Sequence, residues 1–168
     1  MAKASNRGFV LRRRAELANF LSKQPGYQLL GGGNIYYRDY LVATIFKKDQ
    51  FYDFLKTLTI DWREVISKQP PLYNGFYLLT ASTLFIIERK FQPEEEFTAE
   101  ELQSCDFKKK QYQKLMAQTD IEVEYVYLLS DWFRKPEYKD VLDYIISVRC
   151  QYYFEYIPLQ KLGLPVPG

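Results

Sequence analysis

The sequence predicts an α/β protein in which a mixed β-sheet is flanked by helices. Segments with strand-like and helix-like patterns alternate through the second half of the chain, which favours parallel strands joined by helical crossovers. The chain has 168 residues and a hydrophobic content of 47%. A chain of this length buries enough apolar surface for one core but not for two. We therefore expect a single domain over residues 1–168.

The first half of the chain is predicted to contain three helices and two short Tyr-rich strands. Apolar residues recur at helical spacing in three segments, and Pro25-Gly26 ends the first of them. Three consecutive glycines at positions 31–33 indicate a turn between the strands. The predicted elements are a basic helix over about residues 5–23, strands at 27–30 and 35–37, and helices at 48–58 and 61–66.

The second half is predicted to begin with a hairpin and to continue as alternating helices and strands. Three residues, Thr80 to Ser82, separate two apolar runs at hairpin spacing. Thr98 and Glu101 form the pattern of a capping box, so a helix is expected to start there. The predicted elements are strands at 75–79 and 83–90, a helix at 98–117, a strand at 121–129, a helix after Pro136, a strand at 151–157 and a Pro-rich tail at 158–168.

The composition excludes several classes of chemistry. The chain contains no histidine, which excludes a Ser-His-Asp triad, a Cys-His pair and any metal site that needs imidazole. The cysteines, Cys105 and Cys150, are far apart and form no CxxC pair, so they predict neither a zinc cluster nor a disulfide framework. No segment has the length and hydropathy of a signal peptide or a membrane span. We therefore expect a cytoplasmic protein that does not bind membranes.

The strongest chemical signal is a group of polar residues on a predicted strand. The period of two places Glu88, Lys90 and Gln92 on one face of that strand. A carboxylate beside a lysine in an otherwise apolar strand suits a divalent cation with a phosphate drawn to the ammonium group. This arrangement favours metal-dependent phosphodiester hydrolysis. The alternative interpretation is an edge strand with a solvated polar face.

Asn74-Gly75 opens the preceding strand, and Glu88-Arg89-Lys90 follows on the next. This layout resembles the PD-(D/E)xK nuclease superfamily, in particular type II restriction endonucleases. The resemblance implies a restriction-endonuclease-like αβββαβ core and a site-specific deoxyribonuclease that acts on double-stranded DNA as a homodimer. It also implies that Asn74 and Glu88 hold Mg²⁺, while Lys90 and Gln92 complete the catalytic set.

The family has aspartate where this chain has Asn74, so the chain as written is expected to be weak or inactive. Asn74 is either an engineered change, a natural loss of the aspartate, or a sign that the second acid comes from elsewhere, with Glu16 and Glu64 as candidates. A natural loss would favour the alternative function, a catalytically silent nuclease-fold module that binds DNA or a protein.

Two basic clusters are candidate DNA contacts. The first 24 residues carry a strong local excess of positive charge in a chain whose net charge is +2. Such clusters favour contact with a phosphate backbone, although a solvated helix face has the same composition. The candidate DNA-binding residues are Arg12, Arg13 and Arg14 in the N-terminal segment, and Lys108, Lys109 and Lys110 on the predicted helix.

Overall fold

The computed structural model describes residues 10–12, 16–47, 49–70, 74–91 and 99–168, with the backbone alone at 10–12, 74 and 99. Short 3-10 turns join several of the regular elements. The strands are β1 (Val10–Arg12), β2 (Tyr27–Leu30), β3 (Asn34–Tyr37), β4 (Tyr40–Phe46), β5 (Asn74–Leu78), β6 (Thr83–Lys90), β7 (Glu122–Leu129), β8 (Gln151–Phe154) and β9 (Tyr156–Pro158). The helices are α1 (Leu17–Ser22), α2 (Gln50–Thr57), α3 (Cys105–Met116) and α4 (Lys139–Ser147).

A seven-stranded mixed sheet runs in the order β2-β3-β4-β5-β6-β7-β8. Neighbouring strands from β2 to β6 are antiparallel, whereas β6, β7 and β8 are parallel to one another. The parallel strands are joined through α3 and α4, because a parallel connection needs a crossover that a tight turn cannot supply. The prediction of an α/β fold with a partly parallel sheet is confirmed.

Each face of the sheet carries its own hydrophobic core. Three helices contribute to the first core, with Phe51 from α2, Tyr112 from α3 and Ile145 from α4 in the same cluster as Ile86 of β6. The second core lies on the opposite face, where Leu21 of α1 packs with strand residues and with the C-terminal segment. Both faces are therefore covered, which explains why all residues of β6 except Arg89 are buried.

Several sequence predictions differ from the structure. The helix predicted at 61–66 is only a 3-10 turn, Trp62–Glu64, and the helix predicted at 98–117 is α-helical only from Cys105, after the 3-10 segment Ala99–Ser104. The continuous helix over about residues 5–23 is wrong, because Val10–Arg12 is a strand that pairs with β9 and α1 begins only at Leu17. Strand β4 was not predicted, since its turn from β3 uses Arg38 and Asp39 at positive φ rather than glycine. The last predicted strand is interrupted at Glu155, which also has a positive φ.

The Pro-rich tail predicted at 158–168 is part of the second core. Leu159, Leu162 and Leu164 are buried there, and the hydroxyl of Tyr27 donates a hydrogen bond to the carbonyl of Pro165. No helix in the described part of the chain is long and apolar enough to cross a membrane.

Candidate active site

Glu88 and Lys90 lie on the same face of β6, as the strand period predicts. Their side chains point into the core beneath α3, together with Leu84 and Ile86. Glu88 has no exposed surface and Lys90 is 9% exposed. The alternative interpretation of a solvated polar face is therefore wrong for these two residues, and the pair requires compensation within the protein.

The carboxylate of Glu88 has three polar partners. The ammonium group of Lys108, on α3, donates to both oxygens, at 3.0 Å to Oε1 and 3.3 Å to Oε2. The hydroxyl of Tyr125, on β7, donates to Oε2 at 2.7 Å. The ammonium group of Lys90 completes the set at 3.7 Å from Oε1. Both oxygens of this buried acid are therefore hydrogen-bonded by donors from α3 and β7, and the ammonium group of Lys90 on β6 adds a longer ion pair.

The two tyrosines of β7 on this face remain protonated. Burial, and next the charge of Glu88, raise the pKa of Tyr125 far above its ordinary value. The same two causes raise the pKa of Tyr127, which pairs with Glu88 across the parallel strands. A hydroxyl that stays protonated is a permanent donor, so Tyr125 keeps its proton for the hydrogen bond to Glu88.

A second carboxylate lies next to Lys90. Glu101, in the 3-10 segment Ala99–Ser104 before α3, accepts a hydrogen bond from Lys90 Nζ at 3.0 Å. Its side chain is 46% exposed, in contrast to Glu88. Two acids from different elements thus flank one ammonium group, and Glu101 forms the solvent side of the cluster. We call Glu88, Lys90, Glu101, Lys108 and Tyr125 the Glu88 cluster.

The pairing register does not bring Asn74 to the face of Glu88. Asn74 pairs with Ile87 in the antiparallel β5–β6 ladder, and paired residues share a face of the sheet. Ile87 belongs to the second core, whereas Glu88 points into the first. The register therefore does not support a ligand set shared by Asn74 and Glu88. The side chain of Asn74 lies outside the described structure, so its role stays a prediction.

The three predicted DNA-binding lysines of α3 point in different directions. Lys108 belongs to the Glu88 cluster, and Lys109 is buried and donates to the carbonyl of Arg149 at 2.6 Å. Lys110 is exposed and pairs with Asp106 one turn earlier at 3.0 Å. Successive helical residues are separated by about 100°, so the run forms no single basic surface. Among the three, Lys110 is the one whose position suits a phosphate contact.

Other predicted site residues lie elsewhere or outside the described part of the chain. The side chain of Arg12 and all of Arg13, Arg14 and Gln92 fall outside it. Glu16 is exposed and accepts from the side chain of Asn19 at 3.2 Å, and Glu64 is exposed in a short 3-10 turn. In the described structure neither acid forms an ion pair with Lys90 or Lys108.

Sequence reasoning missed Glu101 and Tyr125 as members of the cluster, and it assigned Lys108 a different partner. In the sequence, Glu101 fits the last position of a capping box, so it was interpreted as a helix-capping residue with no chemical role. Tyr125 carried the alternating pattern of β7, but its proximity to Glu88 depends on the register of two parallel strands. That register is fixed by tertiary packing and leaves no local mark in the sequence.

The donors of the Glu88 cluster fit a Mg²⁺ site of the simplest kind. Mg²⁺ prefers oxygen ligands and is commonly held by one or two carboxylates together with substrate phosphates and water. Glu88 and Glu101 supply two such carboxylates, which lie 3.7 Å and 3.0 Å from the ammonium nitrogen of Lys90. No group of three or more acids or cysteines able to hold a metal ion occurs among the residues described. A metal here would therefore depend on substrate and water for its remaining ligands.

Comparisons with known proteins give no match. No protein-family model matches the chain, and the searches of curated proteins and of solved structures also find no match.

Proposed function

We propose that this chain is a Mg²⁺-dependent endonuclease that hydrolyses phosphodiester bonds in double-stranded DNA in the manner of type II restriction enzymes. The observation that carries the proposal is the side-by-side placement of Glu88 and Lys90 on β6. Strand β6 is the last of an antiparallel meander and is followed by α3 and the parallel strand β7. The sheet order β4-β5-β6-β7, with α3 between β6 and β7, resembles the βββαβ part of the core that the sequence resemblance implies, but α2 lies between β4 and β5 along the chain.

Three members of the Glu88 cluster have a direct role in this proposal. Glu88 and Glu101 hold the cation, which when bound supplies charge neutralisation at the phosphate and a more acidic water. Lys90, which contacts both acids, orients the attacking water and attracts the scissile phosphate. Asn74 is not required in this scheme, although its predicted role in metal binding remains open to test.

The direct test is incubation of the purified protein with phage and plasmid DNA in the presence of Mg²⁺ or a chelator. We expect slow cleavage that needs the metal and disappears in a Glu88→Gln variant. Discrete fragments would indicate a sequence-specific enzyme, and a smear would indicate a non-specific one. Intact DNA with Mg²⁺, Mn²⁺ and Co²⁺ would exclude the enzyme.

A second candidate function is a catalytically silent nuclease-fold protein that binds DNA. The observation that favours it is that the Glu88 cluster neutralises its own charges, because its two carboxylates are paired with two ammonium groups. A buried network of this kind also occurs as a purely structural feature. Tight binding to DNA without cleavage by any metal would support this function over the first.

DNA binding is expected to depend on the N-terminal arginines. Reversing Arg12, Arg13 and Arg14 to glutamate should weaken binding to every duplex sequence. It should also reduce the slope of log affinity against log salt concentration by up to about 2.7, at roughly 0.9 per phosphate contact. The measurement is fluorescence anisotropy of labelled duplexes over a range of salt concentrations. The control reverses three exposed lysines, Lys56, Lys139 and Lys161, elsewhere on the surface. Equal losses in the two variants would mean that net charge alone determines the affinity.

We propose that two copies associate through the outer edge of β2, because symmetric cleavage of both strands needs two active sites. Strand β2 ends the sheet, Leu29 and Leu30 are exposed, and residues 27–37 contain no charged side chain. An uncharged, apolar edge lacks the charged side chains that often prevent strand pairing.

Light scattering after size-exclusion chromatography should give twice the chain mass of 20.0 kDa. A Leu30→Lys variant should be monomeric. The matched control is Val166→Lys, which changes an exposed apolar residue of the tail and should remain dimeric. A monomeric wild-type protein at high concentration would contradict this prediction.

A further inference from the structure

Lys108 occupies a position on Glu88 that a metal ion would need. Its ammonium nitrogen lies 3.0 Å from Oε1 and 3.3 Å from Oε2, so it contacts both oxygens of the carboxylate at once. A divalent cation bound to both oxygens would take the same side of the group. The hydroxyl of Tyr125, on β7, also donates a hydrogen bond to Oε2.

We infer that Lys108 is an internal counterion that competes with a divalent cation for Glu88, so that metal binds only when the ammonium group is displaced. This inference rests on the proposed function insofar as the cation is the one that the nuclease would use. It assigns Lys108 to regulation of the metal site, whereas the sequence had suggested a DNA contact. The displaced ammonium group would then be available to an anion such as phosphate.

Charge repulsion is the reason that the two cations exclude each other. An ammonium group and a divalent ion within a few ångströms repel strongly in a buried site, where water screens them poorly. Glu88 has no exposed surface, so the repulsion cannot be relieved by moving the carboxylate into water. One of the positive groups must therefore leave when a metal ion enters.

Lys108 is the ammonium group placed to leave. Its side chain stands on α3 and is 17% exposed, whereas the side chain of Lys90 is 10% exposed and stands on β6, the strand of Glu88 itself. A lysine has four rotatable bonds, so its ammonium group can move several ångströms without any change in the backbone. Displacing Lys108 would keep the contacts of Glu88 with Tyr125 and Lys90.

Titration with Mn²⁺ tests the competition directly. Free Mn²⁺ is measured by electron paramagnetic resonance at pH 8 with the wild type and the variants Lys108→Met, Lys108→Arg and Lys114→Met. Removing the competing charge should tighten binding on the order of tenfold in Lys108→Met. Lys108→Arg keeps the charge and Lys114→Met alters an exposed residue of the same helix, so neither should tighten binding. Adding Glu88→Gln to Lys108→Met should abolish the gain.

A measurement on the wild-type protein keeps the inference testable if Lys108→Met does not fold. Reductive methylation followed by mass spectrometry reports how accessible each lysine is. With 10 mM Mg²⁺ instead of a chelator, labelling of Lys108 should accelerate several-fold, because the ammonium group has left Glu88. Labelling of Lys114, exposed on the same helix, should not change. Unchanged labelling of Lys108, or unchanged Mn²⁺ affinity in a folded Lys108→Met variant, would overturn the inference.

These outcomes are separate from those of the cleavage assay. If Lys108→Met binds Mn²⁺ more tightly but no variant cuts DNA, the counterion role stands and the nuclease function fails. If the wild type cuts DNA with Mg²⁺ and Lys108→Met shows no gain in metal affinity, the nuclease stands and the counterion role fails.

Discussion

Replacement of Glu88 by alanine is expected to lower the free energy of unfolding by about 3–5 kcal/mol, the usual cost of removing one partner from a buried ion pair. The change removes the carboxylate that Lys90, Lys108 and Tyr125 all contact. Two ammonium groups would then lie near the core without that compensation. Urea denaturation followed by circular dichroism gives the change in free energy.

Glu101→Ala is the matched control for that experiment. Glu101 also contacts Lys90, but its side chain is 46% exposed, and ion pairs with such exposure contribute at most about 1 kcal/mol. A loss of at most about 1 kcal/mol in both variants would show that water reaches Glu88 as readily as Glu101. The cluster would then be a surface network, and its role in the core would have to be abandoned.

The second large effect is expected on catalysis. Lys90→Ala and Glu101→Gln should each reduce Mg²⁺-dependent cleavage of DNA by on the order of a hundredfold, a typical effect of losing one electrostatic contact to the transition state. Both residues belong to the Glu88 cluster, and both changes remove a charge that the proposed mechanism uses. The ratio of the variant and wild-type rate constants is measured by single-turnover cleavage of plasmid DNA, with folding checked by circular dichroism.

The Asn74→Asp variant tests whether the second metal ligand beside Glu88 comes from position 74 or from Glu101. If position 74 follows the register, on the face of Ile87, an aspartate there should change the cleavage rate by less than about tenfold. The family pattern makes the opposite prediction, because it places an acid at this position in the metal site. A large gain in Asn74→Asp that is lost again when Lys90→Ala is added would establish β5 as the source of the second ligand. Glu101 would then be excluded from that role.

The local part of the site could be predicted from the sequence. The strand period alone placed Glu88 and Lys90 on one face, and the structure brings their charged groups to 3.7 Å. The face of Asn74 could not be obtained in this way, because it depends on the pairing between two strands. Leu78 pairs with Thr83, and a shift of the register by one residue would move Asn74 to the other face.

Tertiary context also determined the elements that were predicted incorrectly. The segment 10–12 has no strong strand pattern, yet it pairs with β9 from the far end of the chain. The run of lysines at 108–110 suggested one basic surface, but Lys108 contacts Glu88, Lys109 contacts a backbone carbonyl, and exposed Lys110 pairs with Asp106 of the same helix. The partners of Lys108 and Lys109 come from elements distant in sequence, so composition and spacing carry no information about them.

The pairing of β1 with β9 has a consequence for the order of folding. Its first pair joins Val10 to Pro158, a separation that spans most of the chain, whereas the β5–β6 hairpin closes between Leu78 and Thr83. Long loops cost more entropy to close, so the hairpin is expected to form early and the β1–β9 pair late. Opening of that pair would uncover Ile157, a fully buried residue. The amide hydrogens of Tyr156 and Ile157 should then exchange faster than those of the central strands, which marks this pair as the first part of the fold to open.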